Sequence, residues 1–224
     1  DIETADPAMT APRTRERLVV LVGYPGVQTL DLVGPAEVFA AANLRRDAAQ
    51  TPYRIVVASP RGGTIAAGSG LRIADTLPLA SLRGRIDTLI VAGGPAVQQI
   101  VAQGDVPAWV SRRRHAVRRL CSVCTGAFVL GAAGVLDGRL AESAYLGGPD
   151  YGIADIATFP WLRSWEKQGV KLGDYPKLKA WFETIEARPA VQRGCAVLSD
   201  LSRTKPLSEA EREILFGAKQ YERR

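Results

Sequence analysis

Three cysteines in 224 residues, an odd number, do not make the disulfide framework of a secreted protein, and a reducing cytoplasm is the expected compartment. No apolar run approaches the roughly 18 to 20 residues of a membrane span, because LVVLVG and DTLIVAGG are short and end in glycine, and no membrane partner is expected. The amino terminus, DIETADPAMTAPRTRER, lacks the apolar centre of a secretory signal. Met9 is the only methionine and reads as a natural start, with residues 1 to 8 appended and residues 1 to 16 a flexible lead. Lysine is missing before Leu140, where sixteen arginines stand, whereas seven arginines and six lysines come after it. Tryptophan divides the same way, with Trp109 alone on the first side and Trp161, Trp165 and Trp181 on the second. Two stretches of different compositional history are therefore expected to meet near residues 138 to 148, in the glycine-rich GRLAESAYLGGPD.

What is present reads as a packed protein, with 46% hydrophobic residues and a formal charge of +6. The charge raises the question of nucleic acid, and its distribution argues against it. Arg112, Arg113, Arg114, Arg118 and Arg119 share a helical pattern with Trp109, Val110, Ala116, Val117 and Leu120 on another face, which predicts a solvated helix side without aromatic interleaving. RLVVLVG (17–23), YRIVVASP (from 53) and DTLIVAGGP (87–95) are continuous apolar runs stopped by turn residues, as expected for strands buried on both faces of a parallel sheet. LDLVGPAEVFAAANL predicts a helix that Asn43 helps to stop, GGTIAAGSGLRIADT a small hairpin, and RLCSV a fourth strand running into a helix at CTGAFVLGAAG. This alternation predicts an open parallel sheet with helices on both faces.

Cys124 is the residue that carries chemistry. A nucleophile at the carboxyl end of such a sheet needs a sharp strand-to-helix turn flanked by small residues, and SVCTG supplies one. A thiol at a helix amino terminus meets the positive end of the backbone dipoles, which favours thiolate. The bland alternative, a buried structural cysteine, has equal weight on spacing alone. Cys121 and Cys124 also spell CxxC, but a redox dithiol places its first cysteine at the helix start, and Cys121 falls inside the strand. His115, the only histidine, is expected on the surface of the basic helix.

LVGYPGVQTLDLVGPAEVFAAANL, DTLIVAGGPAV and CSVCTGAFVLGAAGVLDGRLA together resemble the ThiJ/PfpI superfamily, related to class I glutamine amidotransferases. The branches nearest to these motifs are the isonitrile hydratases and the sensor domains of AraC-type regulators. The resemblance covers residues 17 to 141 and implies a flavodoxin-like sandwich, usually dimeric, with Cys124 at the elbow, Asp31 as its acid partner, and the amides of Gly94 and Thr125 around the reacting atom. The residues alone allow Asp31 a plainer role as a helix cap, and Gly93 and Gly94 a plain turn. After LDGRLA the chain departs from the family, reading ESAYLGG where a histidine-containing segment and further strands are expected. No histidine follows Cys124, and His115 lies in the wrong segment for a Cys-His-acid triad, so amidotransferase and peptidase chemistry are disfavoured while acid-plus-cysteine chemistry stays open.

In the second part, YGIADIATFPWLRSWEKQG places Ile153, Ile156, Ala157, Trp161 and Trp165 on one stripe, expected to pack between helices, with Gly152 and Asp155 at capping-box positions, a kink at Pro160 and an end at Gly169. DYPKLKAWFETIEARP predicts a helix capped by Asp174 that buries Leu178, Trp181, Phe182 and Ile185. IADIATFPW, YPKLKAWF, ARPAVQRG and LSEAEREILFGAKQ together resemble the end of a bacterial glutathione transferase. That resemblance implies the last helices of its all-helical domain over residues 142 to 224, with Asp155 as a structural cap, and carries over no catalytic or glutathione-binding residue. The expected architecture is α/β: an incomplete flavodoxin-like, class I glutamine-amidotransferase-like parallel sheet, then an all-α fragment. The expected function is a cysteine-nucleophile enzyme acting on a small molecule, of the isonitrile hydratase type or a degenerate relative, dimeric, with neither cofactor nor metal. The alternatives are a ligand sensor of an AraC-type regulator without its DNA-reading part, a glutathione transferase remnant, or a fusion without function.

Overall fold

In the computed structural model, residues 16–45, 52–166, 168 and 170–197 are described; most of the expected lead and the tail LSEAEREILFGAKQ lie outside them. Strand β1 (Arg17–Val22) is the centre of the sheet, and Val19 to Val22 are wholly shielded from solvent, as their unbroken branched apolar run requires. Helix α1 (Thr29–Leu44) comes next, and Asn43 in its last turn clasps the first residue of β2 (Tyr53–Ser59), donating from Nδ2 to the Tyr53 carbonyl at 2.8 Å while its Oδ1 accepts the Tyr53 amide at 2.9 Å. The glycine-rich excursion is an antiparallel pair, β3 (Gly63–Ala66) and β4 (Arg72–Pro78), whose end joins the sheet beside β2 at Ala58↔Leu77. Strand β5 (Ile86–Val91), helices α2 (Val97–Gln103) and α3 (Asp105–Arg113), and strand β6 (Val117–Ser122) complete a six-stranded sheet of order β3-β4-β2-β1-β5-β6, parallel throughout except for β3.

The crossover from β1 to β2 runs toward one edge and that from β5 to β6 toward the other. Right-handed crossovers of opposite direction put α1 on one face and α2 with α3 on the other. The order reverses between β1 and β5, so their carboxyl ends diverge into a crevice.

One sequence expectation fails at β6. The arginine-rich helix ends at Arg113, and Val117, Arg118, Arg119 and Leu120 belong to the strand. Pairing decides it: Arg118 makes a two-pronged contact with Asp87 of β5, donating from Nε at 2.8 Å and from Nη2 at 2.9 Å, a geometry available only with the two segments side by side as strands. The other edge of β6 pairs with no strand among the described residues, and Arg118 and Arg119 give it the charged character that discourages sheet extension.

Helices α4 (Gly126–Ala132) and α5 (Val135–Glu142) come after the sheet. Residues Gly126 to Gly131 are all buried, because α4 packs against α2, α3, α5 and also α6 (Ile153–Leu162). Helix α6 stops at Leu162 and not at Gly169, since Pro160 cannot donate into the ladder and the chain leaves the helix within two residues. The stripe expected to be buried is reversed: Ile153, Ile156 and Trp161 are exposed, and Asp155, Phe159 and Leu162 face inward. Periodicity identified an apolar face, but the inward side is set by Asp155, whose carboxylate gathers buried donors. Helix α7 (Pro176–Glu186) buries Leu178, Trp181, Phe182 and Ile185. Its first amides are not met by Asp174; Oδ1 of Asp137, on α5, accepts from Lys177 N–H at 2.7 Å and Leu178 N–H at 2.9 Å. Residues up to Phe182 form one compact unit; those from Glu183, with the end of α7 and α8 (Pro189–Ala196), form another.

Candidate active site

The crevice between β1 and β5 is where the sequence-predicted residues meet. Beyond β1, the Tyr24 hydroxyl donates to the Ala92 carbonyl at 2.9 Å, and the Gln28 amide donates to the Gly93 carbonyl at 2.9 Å, so the loops after β1 and β5 are tied directly. Beyond β6, the Val123 amide bonds the Val91 carbonyl at 3.0 Å, and the chain then turns into α4 at Cys124. Cys124 has φ +53°, one of two non-glycine residues with positive φ among those described. For an ordinary side chain this conformation costs on the order of 1 to 3 kcal/mol, which the surrounding packing must hold in place. Gly126 makes the turn possible: a Cβ there would lie 2.2 Å from the Val91 carbonyl oxygen, so only glycine lets α4 start against the end of β5. A Cβ on Gly93 would likewise come within 2.6 Å of the Thr125 nitrogen.

Asp31 lies in the first turn of α1, is 8% exposed, and makes no capping bond. Its Oδ2 accepts the Gly93 amide at 3.0 Å, across sixty-two residues of sequence, which is a tether between α1 and the glycine pair rather than a helix cap. Among the described residues no hydrogen bond joins Asp31 to the Cys124 sulfur; Gly93 stands between them, bonded to one and packed against the residue after the other. Gly94 N–H donates to Thr125 Oγ1 at 3.0 Å. That amide is already engaged, whereas the Thr125 amide, at the start of the turn, has no partner among the described residues.

Sequence reasoning missed Tyr24. Its phenol is pushed well above the ordinary tyrosine range by burial first, and then by the negative charges of Asp31 and Cys124, which both act on it. Tyr24 thus favours its neutral phenol and stands within electrostatic reach of both groups. Its only sequence signal is its place in VGYPG, directly after the central strand.

Cys124 opens into a recess of about 370 Å³ bounded by Gln28, Gly94, Pro95, Gln98 and Thr125, and also by Gln168, from the turn after α6. No sequence pattern pointed to Gln168. Cys121 lies inside β6, with its thiol pushed up by burial and Arg119 pulling the other way; this is a strand position and not the leading thiol of a redox pair. His115 is exposed on the turn after α3, where its Nε2 accepts from Arg114 Nε at 3.0 Å. Asp155 is fully buried away from the recess: Oδ1 accepts from Leu146 N–H at 3.0 Å and Trp181 Nε1 at 2.7 Å, and Oδ2 from Gly152 N–H at 3.0 Å. Gly152 has no side chain to return a bond, so only one arm of a capping box is made.

The model of the DJ-1/PfpI family matches residues 16–146, and that of the glutathione S-transferase C-terminal domain matches residues 129–189. An uncharacterized protein of the cpoL 5' region of Streptomyces lividans is 43% identical over 128 residues, 57% of this chain and 86% of that protein. The isonitrile hydratase of Pseudomonas putida is 30% identical over 120 residues, 54% of this chain and 49% of that enzyme. The disulfide-bond oxidoreductase YfcG of Escherichia coli (strain K12) is 50% identical over 56 residues, 25% of this chain and 26% of that protein. The chain therefore spans about half of the hydratase and a quarter of the oxidoreductase.

Proposed function

This chain belongs to the DJ-1/PfpI family, and from that premise we propose that it is a cysteine-nucleophile enzyme hydrating a small isonitrile to the corresponding N-substituted formamide. The observation that carries the reading is the left-handed backbone of Cys124 at the end of β6, which presents the sulfur in a recess at the sheet's switch point. The likeness to isonitrile hydratase supplies the reaction class.

The proposed chemistry uses Cys124 as nucleophile and Asp31 as proton carrier, the two acting on the substrate and not on each other. The thiolate sulfur adds to the terminal isonitrile carbon while the carboxylic acid of Asp31 protonates that carbon, giving a thioimidate R–N=CH–S–Cys and a carboxylate. The carboxylate then takes a proton from water as the oxygen adds to the same carbon, and delivers it to nitrogen. Collapse breaks the C–S bond, passes the hydroxyl proton to Asp31, releases R–NH–CHO, and returns thiolate and carboxylic acid. The Gly93 amide holds Asp31 from one side, and its Oδ1 has no partner among the described residues and serves as the proton-carrying atom. Charge developing on the adduct is met by the unpartnered Thr125 amide, with Gly94 acting through Thr125 Oγ1. No residue of the glutathione transferase-like part enters the bond-making steps.

Three free thiols fit a reducing cytoplasm, and the exposed apolar residues Leu30, Val33 and Val38 along α1 support a homodimer; both belong to the same proposal. No described helix is long and apolar enough to cross a membrane. The test is turnover of a neutral alkyl isonitrile, monitored as formamide. Cys124→Ala abolishes it, and Asp31→Asn, which keeps an acceptor for Gly93, lowers kcat/KM by about 10²- to 10⁴-fold. Ligand-induced thermal stabilisation without turnover, unchanged in Cys124→Ala, would instead identify a sensor.

A further inference from the structure

The recess at Cys124 is bounded in part by a residue that the DJ-1/PfpI match does not contain. Gln168 lies beyond residues 16–146, in the turn after α6. That turn is held by its own backbone: the Gln168 amide donates to the carbonyls of Ser164 and Trp165, both at 3.1 Å, and the Val170 amide returns to Trp165 at 3.0 Å. The helical part of the chain therefore contributes a wall of the site as well as covering α4.

The chemistry of the wall is distinctive. Gln28 and Gln98 bound the same recess, so three residues with uncharged primary-amide side chains line it. Among the described residues none that lines the recess is charged. Among the described residues that line the recess, an anionic molecule meets no cation to pair with. A small uncharged molecule needs no such partner, and the uncharged lining suits it.

We propose that Gln168 is a specificity-determining residue of the Cys124 site, and that the site selects small uncharged molecules. The proposal rests on the catalytic reading of Cys124 and deepens it by assigning the substrate's charge class and the residue from the second part that enforces it. Catalysis itself is left to the pair on the α/β part.

The experiment compares alkylation by neutral iodoacetamide and anionic iodoacetate at matched concentration in the full chain, quantified by peptide mass spectrometry separately at Cys124 and at the exposed Cys195, which serves as the internal reference. In the unaltered chain, the iodoacetate-to-iodoacetamide rate ratio is expected to be lower at Cys124 than at Cys195. Gln168→Lys is expected to raise the ratio at Cys124, and Gln168→Glu to lower it, each by about fivefold, with Cys195 unmoved, as one charge placed at the mouth of a small recess should do. A folding defect would move both variants in the same direction, so opposite shifts isolate the local charge. Ratios at Cys124 that stay within about twofold in both variants, or that shift alike, overturn the assignment of Gln168; a wild-type preference for iodoacetate overturns the charge class. Loss of the nucleophile reading shows up elsewhere, as Cys124 alkylation no faster than at Cys195 with either reagent, and the ratio still reports on Gln168.

Discussion

Asp155 is the side chain whose removal should be felt most. Three N–H groups converge on it from Leu146, Gly152 and Trp181, so the carboxylate closes the segment between α5 and α6 onto α7. A buried donor left without a partner costs about 1 to 3 kcal/mol, and Asp155→Ala strands three. It is expected to destabilise the chain by about 3 kcal/mol or more in a denaturant titration, with Asp155→Asn costing less because its oxygen can still serve Trp181 and Leu146. A loss below about 1 kcal/mol would mean that these donors find other acceptors. The sequence pointed to Asp155 as a cap by its spacing from Gly152, but spacing could not reveal the donors from Leu146 and Trp181, one of which is twenty-six residues away. The elbow at Cys124 was legible in its small neighbours, whereas Asp31 stood out only through the resemblance of its string, and spacing gave no sign of its bond to Gly93. Tyr24 and Gln168 were not, because a neutral phenol and a neutral amide leave no charge or periodicity signal, and only folding brings them to the cysteine.

At the scale of elements, the three continuous apolar runs became β1, β2 and β5 because strands buried on both faces have no alternation to obscure them. Strand β6 differs in part from the expected helix: among the described residues it is an edge strand, half exposed, and its arginines mimic a solvated helix face until Asp87 is seen opposite. That pair also has a pH signature. Burial pushes the Asp87 carboxyl up, but hydrogen bonds from Thr88 and Arg118 and the charges of Arg118 and Arg119 outweigh it and hold the group below the usual carboxylate range. A depressed folded value means that its stabilising contribution is complete above the unfolded carboxylate range and is lost as pH falls through the folded value. Carboxyl-detected NMR titration should therefore show Asp87 ionised to lower pH than a free aspartate, and Arg118→Ala should move its titration upward. A titration that ignores Arg118→Ala would contradict the ion pair as the cause. The exposed stripe of α6 teaches the complementary lesson, that periodicity finds a face without saying which neighbour it will have.

Across the whole molecule, two family matches overlap over residues 129–146, and α5 belongs to both. The DJ-1/PfpI match ends at residue 146, and the next segments are tied back to α5: its Asp137 caps α7, and the Arg139 Nε donates to the Leu146 carbonyl at 3.1 Å. If residues up to Phe182 fold as one body, loss of the cap should be shared by all of it. Asp137→Ala is expected to lower stability by about 1 kcal/mol, with hydrogen-exchange protection falling equally in β1 and in residues 176–182 of α7. Loss confined to α7 would mean that the two parts open independently.

The central claim concerns the sulfur at the bend, and its reactivity is the most direct measure of it. Iodoacetamide, read at the Cys124 peptide against free N-acetylcysteine in the same tube, should modify Cys124 about tenfold faster or more, because the bend presents the sulfur in the recess at the start of α4. Modification at or below the rate of the free thiol would contradict the account and leave Cys124 a structural residue.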